Sequence, residues 1–235
     1  MHCRKGSADT WGMNMRLIAL TGVLLAASVT APAADPPTAN QELRSVLRET
    51  GSAARGEQLF KNCIACHGQD GNGKLGGDIP VIAAQHQRVI AKQLVDYRHA
   101  ERWDPQMETV AASHALMGPR DIADVAAFIS ALQRDQGRAG LGDGKQLETG
   151  RSIYGRDCAG CHGAAGEGNG VSLVPRLAGQ HYRYLLRQLH DTLEQRRPNM
   201  PPPHPQLLDK LDVAELTGLA DYLARLDPPR RIVRP

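Results

Sequence analysis

The stretch Cys63-Ile64-Ala65-Cys66-His67 occurs a second time as Cys158-Ala159-Gly160-Cys161-His162. The spacing C-x-x-C-H is typical of covalent c-type haem attachment, in which two thiols bond one haem and the histidine binds its iron. A redox C-x-x-C pair or half of a zinc site is the alternative, but neither requires the histidine. The predicted attachment points and proximal iron ligands of two haems are Cys63, Cys66 and His67 in the first copy and Cys158, Cys161 and His162 in the second.

The two motifs belong to an internal repeat, because a shift of 95 positions superimposes them and also aligns residues downstream. The aligned pairs include Gly68 with Gly163, Gly71 with Gly166, Gly73 with Gly168, Pro80 with Pro175, Gln85 with Gln180, His86 with His181, and Gln93 with Gln188. We therefore predict two tandem domains at residues 51–134 and 149–235. A Gly-rich linker at residues 135–148 joins them, and a tail at residues 35–50 precedes them.

Residues 1–34 form a predicted signal peptide region. A short apolar run at residues 17–29 is followed by Ala31-Pro32-Ala33, which resembles a cleavage site. The run is shorter than the roughly 20 residues that a membrane span needs. We expect cleavage near Ala34, no membrane span in the mature protein and a periplasmic location, because bacteria attach haem outside the cytoplasmic membrane. Cys3 leaves with the signal, so the other four cysteines serve haem and no disulfide is expected.

Each copy shows the same order of helical segments. A helix leads into the motif, a Gly-rich loop follows, and a middle helix is predicted at residues 86–101 and 181–196. An amphipathic helix closes each copy, with Asp121 as the predicted N-cap in the first and a capping box of Asp212 and Glu215 in the second. No stretch alternates with period two, so the predicted fold is all-α.

The second axial ligand decides whether a haem iron is closed for electron transfer or open to oxygen chemistry. In the second copy the predicted ligand is Met200, because it is the only methionine after Met117 and its neighbouring prolines stiffen the loop. In the first copy the predicted ligand is Met107, which lies 40 residues past His67. The alternatives in the first copy are Met117, His99 and His114.

His86 and His181 occupy equivalent positions soon after the Gly-rich loops. We predict structural roles for both, as hydrogen-bond partners of the backbone or of a haem propionate.

Composition restricts the function classes. The formal net charge is +3 without a basic stripe, which argues against a nucleic-acid partner. Aromatic residues make up 4% of the chain, a thin supply of large apolar side chains for two cores. Two buried haems would supply the missing apolar bulk.

The chain resembles the dihaem cytochromes c of the cytochrome c4 type, which are tandem class I cytochrome c domains. The resemblance covers residues 51–226. It is carried by the two motifs, by Gly-x-Gly after each, and by residues 79–86, 104–107, 122–128 and 174–181. It implies two domains, each wrapped around one covalent haem. The ligand pairs that it implies are His67 with Met107 and His162 with Met200.

Two features depart from the family pattern. Phe60 precedes the first motif by three residues, whereas Tyr154 precedes the second by four, so the first helices differ by one residue. Prolines at 201–203 and 205 also make the second methionine loop unusually stiff.

The resemblance implies a carrier of single electrons between respiratory-chain partners rather than an enzyme. The expected partners are a terminal oxidase, a quinol-oxidising complex or a dehydrogenase. One alternative is a cytochrome subunit of a dehydrogenase complex. The other is a dihaem oxidoreductase with its own substrate, which requires an iron with a labile ligand.

Overall fold

The structure is a computed structural model, and it describes residues 36–74, 76–135 and 140–227. The predicted signal peptide at residues 1–34 lies outside these ranges. Within them, none of the helices has both the length and the apolar character that crossing a membrane requires.

The described residues fold into short helices joined by loops, which confirms the all-α prediction. The first repeat contains α1 (Ala39–Val46), α2 (Ala53–Phe60), α3 (Ile64–His67), α4 (Gln87–Arg98), α5 (Pro105–Ala111), the 3₁₀ turn His114–Leu116 and α6 (Pro119–Ala131). The second contains α7 (Leu147–Ile153), the π-helical turn Tyr154–Cys158, α8 (Ala159–His162), α9 (Tyr182–Leu193), α10 (His204–Leu208) and α11 (Val213–Arg225). No strand occurs in the described ranges, where extended pairing is limited to one bridge between Asn169 and Val174.

In both repeats the helix that leads into the haem motif crosses the last helix at a glycine. A Cβ atom on Gly56 of α2 would lie 2.0 Å from the carbonyl oxygen of Asp124 in α6. A Cβ atom on Gly150 of α7 would lie 2.0 Å from the carbonyl oxygen of Gly218 in α11. Both distances are far below van der Waals contact, so only glycine permits these helix backbones to approach so closely.

An aromatic pair follows each crossing and fills the core beneath it. The rings of Phe60 and Phe128 have centroids 5.1 Å apart, and those of Tyr154 and Tyr222 are 5.7 Å apart. Phe60 and Tyr154 are almost completely buried. Tyr154 also donates a hydrogen bond from its hydroxyl group to the carbonyl oxygen of Gly163, 2.5 Å away.

The extra residue before the second motif is accommodated by the π-helical turn Tyr154–Cys158. In the first repeat α2 ends at Phe60, and Cys63 follows through a tight turn in which its N–H group bonds the Phe60 carbonyl at 2.7 Å. A π-helical turn inserts one residue without ending the helix. The aromatic residue and the haem motif therefore keep equivalent places in both repeats despite the different spacing.

The segment predicted as a tail contains helix α1, which packs against α4 and α6. Thr38 and Gln41 form a capping box at its start, and Val46 is buried in the first core. Glu42, also buried, accepts hydrogen bonds from Arg98 and from His99, the latter at 2.6 Å. This helix therefore joins the first core through the apolar face formed by Leu43, Val46 and Leu47.

Only one of the two predicted helix caps forms. Asp212 and Glu215 make the predicted capping box at the start of α11. The prediction of Asp121 as N-cap was wrong, because Pro119 opens α6 one turn earlier and Gly118 is the N-cap. Asp121 instead accepts a hydrogen bond from the Met117 N–H group at 3.1 Å.

The two repeats contact each other through reciprocal hydrogen bonds of two glutamines. Gln180 accepts from the Val81 N–H group at 2.9 Å and donates to the Val81 carbonyl at 2.7 Å. Gln85 accepts from the Arg176 N–H group at 2.9 Å and donates to the Arg176 carbonyl at 3.0 Å. Each glutamine side chain therefore completes the backbone hydrogen bonding of the opposite repeat.

The two histidines predicted to be structural extend this pattern. The Nε2 atom of His86 lies 2.8 Å from the carbonyl oxygen of Glu167, and that of His181 lies 3.0 Å from the carbonyl oxygen of Asn72. Because a carbonyl oxygen only accepts, each imidazole donates from Nε2. Both histidines thus bind the opposite repeat.

Candidate haem-binding sites

The Gly-rich loops fold back so that a proline carbonyl reaches each motif histidine. In the first repeat, Gly73 has φ +71° and its N–H group bonds the His67 carbonyl at 2.9 Å. A Cβ atom on Gly73 would lie 2.3 Å from the Ile79 carbonyl oxygen. Gly168 has the same role beside Pro175 in the second repeat, with φ +70°. Glycine is therefore needed because the returning chain passes so close.

This folding leaves one imidazole nitrogen of each motif histidine available to a metal. The Nδ1 atoms of His67 and His162 lie 3.1 Å from the carbonyl oxygens of Pro80 and Pro175, respectively. A carbonyl accepts, so Nδ1 carries the proton and the Nε2 lone pair is free. Burial lowers the pKa of both imidazoles, although the hydrogen bonds to the proline carbonyls partly oppose this. Both rings are thus held neutral and oriented as iron ligands.

The two thiols of each motif differ in exposure. Cys63 and Cys158 are half-buried, whereas Cys66 and Cys161 are exposed. Burial raises the pKa of Cys63 to about 11 and that of Cys158 to about 11. Without a haem, the inner cysteine of each pair is therefore a neutral thiol at physiological pH.

A cavity of about 330 Å³ lies beside the first motif and continues to the second repeat. The first repeat contributes Cys63, Cys66, His67, Met107 and apolar side chains of α4 and α6, and the second contributes Pro175, Leu177, Tyr184 and Arg197. Its size and mostly apolar lining are those of a cofactor site. Because Pro175 also binds His162, the cavity extends from one motif histidine to the immediate partner of the other.

Two arginines reach this cavity from opposite repeats, one of them buried and the other half-buried. The Arg102 guanidinium donates to Gln93, Tyr184 and Gln188, and its Cζ atom lies 4.7 Å from the Tyr97 ring centroid. It is 5% exposed.

Arg197 is the second of these arginines, and its Nε atom is buried without a hydrogen-bond partner among the described residues. Desolvation, together with the neighbouring charge of Arg102, lowers the pKa of Arg197 to about 10. Two neighbouring cations that are both at least partly removed from water favour binding of an anion, and haem supplies two carboxylates. Neither arginine belongs to a recognisable motif, although the 95-residue shift places Arg102 on Arg197.

The candidate distal ligands of the first repeat are in very different surroundings. Met107 lies in α5, lines the cavity with His67 and packs against the first core. Met117 is 77% exposed. His114 is exposed as well, and His99 is bound to Glu42. The surroundings therefore favour Met107 among the four candidates.

In the second repeat a histidine faces the motif histidine. The ring centroids of His162 and His204 are 6.0 Å apart, with an angle of 81° between the ring planes. Met200 is half-buried in the turn before α10, where its N–H group bonds the Arg197 carbonyl at 3.0 Å. His204 was not among the predicted ligands, because it lies in the same Pro-rich stretch as Met200 and has no equivalent in the first motif loop.

Comparison with known proteins agrees with this arrangement. The family model "Cytochrome c" matches residues 53–133, and the model "Cytochrome C oxidase, cbb3-type, subunit III" matches residues 145–223. Cytochrome c4 of Azotobacter vinelandii is 32% identical over 165 residues, which are 63% of this chain and 76% of that protein. The chain belongs to the cytochrome c4 family. It is accordingly a dihaem electron-transfer cytochrome with two covalently bound c-type haems.

Two solved structures and one further relative are also similar to this chain. The crystal structure of reduced recombinant cytochrome c4 from Pseudomonas stutzeri matches with a TM-score of 0.67 and 27% identity, over 75% of this chain and 100% of that one. A thiosulfate dehydrogenase electron acceptor of Stutzerimonas stutzeri is 32% identical over 66% of this chain and 78% of its own. Thiosulfate dehydrogenase from Marichromatium purpuratum matches with a TM-score of 0.62, 29% identity and coverage of 78% of this chain and 44% of that one.

The residues present fit the haems that the cytochrome c4 family carries. Each repeat offers two thiols at the attachment spacing and one imidazole with a free Nε2 atom. The cavity is apolar beside the first motif and cationic where the repeats meet. Haem requires this combination, because its ring is apolar and its propionates are anionic.

Proposed function

We propose that this cytochrome c4 is a periplasmic carrier that passes single electrons between respiratory-chain partners, one electron at each of two haems. The supporting observation is the cavity that extends from His67 to Pro175, the backbone partner of His162. The first motif lines this cavity, and so does the backbone partner of the second motif histidine, so we expect the two haems to lie close enough to exchange electrons within the chain. The predicted domain bounds, residues 51–134 and 149–235, place one haem in each domain.

The proposed roles of the residues follow from their surroundings. Cys63 and Cys66 attach the first haem, and Cys158 and Cys161 attach the second. His67 and His162 are the proximal ligands, oriented by the proline carbonyls at 3.1 Å. Met107 is the distal ligand of the first haem. When bound, each haem supplies an iron that changes between the ferrous and ferric states, while the surrounding side chains exclude water.

A carrier needs both irons closed by protein ligands, and binding of carbon monoxide to the reduced protein tests this. We expect the reduced spectrum to be unchanged under carbon monoxide. Stoichiometric binding at either haem would contradict a simple carrier and would favour the dihaem oxidoreductase.

A second candidate function is supported by the relatives named as a thiosulfate dehydrogenase and its electron acceptor. In that case this chain would be the cytochrome partner of a dehydrogenase. Affinity purification of the tagged chain from its native cells distinguishes the two. A stoichiometric dehydrogenase subunit would favour the complex, and recovery of the chain alone would favour the diffusible carrier.

The haem count should fall by one for each motif removed. We expect wild-type protein to carry two haems by intact mass, and the double variants Cys63→Ala/Cys66→Ala and Cys158→Ala/Cys161→Ala to carry one each. Haem staining after denaturing electrophoresis should remain positive in both, because the other haem stays covalently attached. Loss of both haems from one double variant, with the polypeptide still present, would contradict independent attachment.

Arg102→Leu should lower the reduction potential of the nearer haem by about 50–100 mV, because loss of a nearby buried cation favours the ferric state. A redox titration of both haems measures this. Arg44→Leu is the control for removal of a surface charge, since Arg44 lies in α1, is exposed and does not line the cavity. Equal potentials in wild type and Arg102→Leu would show that this guanidinium does not act on a haem.

A further inference from the structure

We propose that His204, rather than Met200, is the distal iron ligand of the second haem, so that this haem has two histidine ligands and the first has histidine and methionine. The inference rests on the proposed function, because it requires a haem attached at Cys158 and Cys161. It concerns residues of this chain that the sequence pattern alone did not connect.

The spacing of the two rings suits one metal between them. The centroids of His162 and His204 are 6.0 Å apart. An imidazole nitrogen binds a metal at about 2.0–2.1 Å, and the centre of a five-membered ring lies about 1 Å behind its nitrogen, so two imidazoles on opposite sides of one metal have centres about 6 Å apart. An angle of 81° between the ring planes is compatible with this, because each ring can rotate about its own bond to the metal.

Both rings are in the tautomer that leaves Nε2 able to bind a metal. The Nδ1 atom of His204 lies 2.7 Å from the carbonyl oxygen of Pro201, and the Nδ1 atom of His162 lies 3.1 Å from that of Pro175. A carbonyl oxygen only accepts hydrogen bonds, so Nδ1 is protonated and Nε2 carries the lone pair in both rings. The distal histidine thus repeats the backbone-carbonyl contact that orients the proximal one.

The backbone around His204 is rigid. His204 is the first residue of α10, and Pro203 and Pro205 lie on either side of it. Its N–H group bonds the Pro201 carbonyl at 3.2 Å, and Leu208 at the other end of α10 is buried in the second core. A ligand on a helix held at both ends needs little reorganisation to bind a metal.

Met200 belongs to a segment that is held against the first repeat. The N–H group of its neighbour Asn199 bonds the Glu101 carbonyl at 3.2 Å, and the Asn199 side chain donates to Asp96. Met200 itself closes a turn with Arg197. This segment therefore serves the contact between repeats, whereas His204 lies beside the second motif histidine.

Comparison of the two distal helices supports the assignment. Helix α5 begins Pro105-Gln106-Met107, and α10 contains Pro205-Gln206 followed by Leu207. The helix position that offers a thioether in the first repeat offers only an aliphatic side chain in the second. A distal ligand of the second haem must therefore come from elsewhere, and His204 is one turn away.

Spectroscopy of the holoprotein separates the two assignments. The oxidised wild type should show the methionine–iron charge-transfer band of one haem only. Met200→Leu should leave this band unchanged, and Met107→Leu should abolish it. His204→Met should increase the band about twofold and raise the potential of the second haem, since methionine favours the ferrous iron relative to histidine. A band that falls by half in Met200→Leu would overturn the proposal.

A second variant keeps the test informative if His204→Met binds the iron poorly. His204→Ala removes the ligand, so the reduced second haem should bind one carbon monoxide per chain, whereas the reduced Met200→Leu variant should bind none. Carbon monoxide binding by Met200→Leu and none by His204→Ala would overturn the proposal. Intact mass and the charge-transfer band together distinguish the failures. A chain that carries one haem refutes the proposed function. A chain that carries two haems, with the methionine band of both, refutes only this inference.

Discussion

Gly150→Ala is expected to lower the free energy of unfolding of the holoprotein by about 3 kcal/mol or more. The added Cβ atom would lie 2.0 Å from the Gly218 carbonyl oxygen, so α7 and α11 must move apart. The neighbour is backbone and cannot rotate away. Separation of these helices also disturbs the packing of Tyr154 against Tyr222, next to the second haem motif.

Gly155→Ala is the matched control, because a Cβ atom at Gly155 meets nothing within 4 Å. Alanine favours helices over glycine by about 1 kcal/mol, so the control should be neutral or slightly stabilising. Denaturant unfolding followed by far-ultraviolet circular dichroism measures both variants. Equal stability of Gly150→Ala and Gly155→Ala would contradict the tight crossing.

Gln180→Ala is expected to weaken the contact between the two repeats by about 2–4 kcal/mol, because it leaves both the N–H and the carbonyl group of Val81 without their partners. Val81 and Gln180 are both buried, so water does not readily replace the amide. The two domains should then unfold in separate transitions, and the Val81 amide should exchange its hydrogen faster. Unfolding followed by haem absorbance and hydrogen exchange measured by mass spectrometry test this.

The control for this prediction is Gln58→Ala, which removes an exposed glutamine from α2. It should unfold as wild type does. A single unchanged transition in Gln180→Ala would show that other contacts, such as those of His86 and His181, are sufficient to couple the repeats.

The parts of this molecule that could be predicted from sequence are those with a local or repeated signal. Two motifs at a constant shift predict two haems and a duplicated fold, and helical periods predict α6 and α11. A capping box is also local, and the one of Asp212 and Glu215 was predicted correctly. The prediction of Asp121 failed because Pro119 is a stronger start signal than a carboxylate two residues later.

The parts that could not be predicted depend on contacts between distant residues. Helix α1 carries apolar residues at helical spacing, but their burial depends on α4 and α6, which lie far away in the sequence. Alignment of Gln85 with Gln180 shows that both repeats have a glutamine at this position. It does not show that each glutamine forms hydrogen bonds with the backbone of the other repeat. His204 was not predicted for the same reason. Its proposed role as an iron ligand depends on its distance from His162, which lies 42 residues earlier in the sequence.

The reciprocal glutamine contacts have an evolutionary consequence. Every such bond occurs twice, once in each direction, as in the isologous interface of a two-fold symmetric homodimer. A single-haem ancestor that paired with a second copy of itself would have had the same surface, and gene fusion would have made that pairing permanent. Once the copies are joined, a mutation alters one half alone, so the two redox centres can diverge in ways that a homodimer forbids.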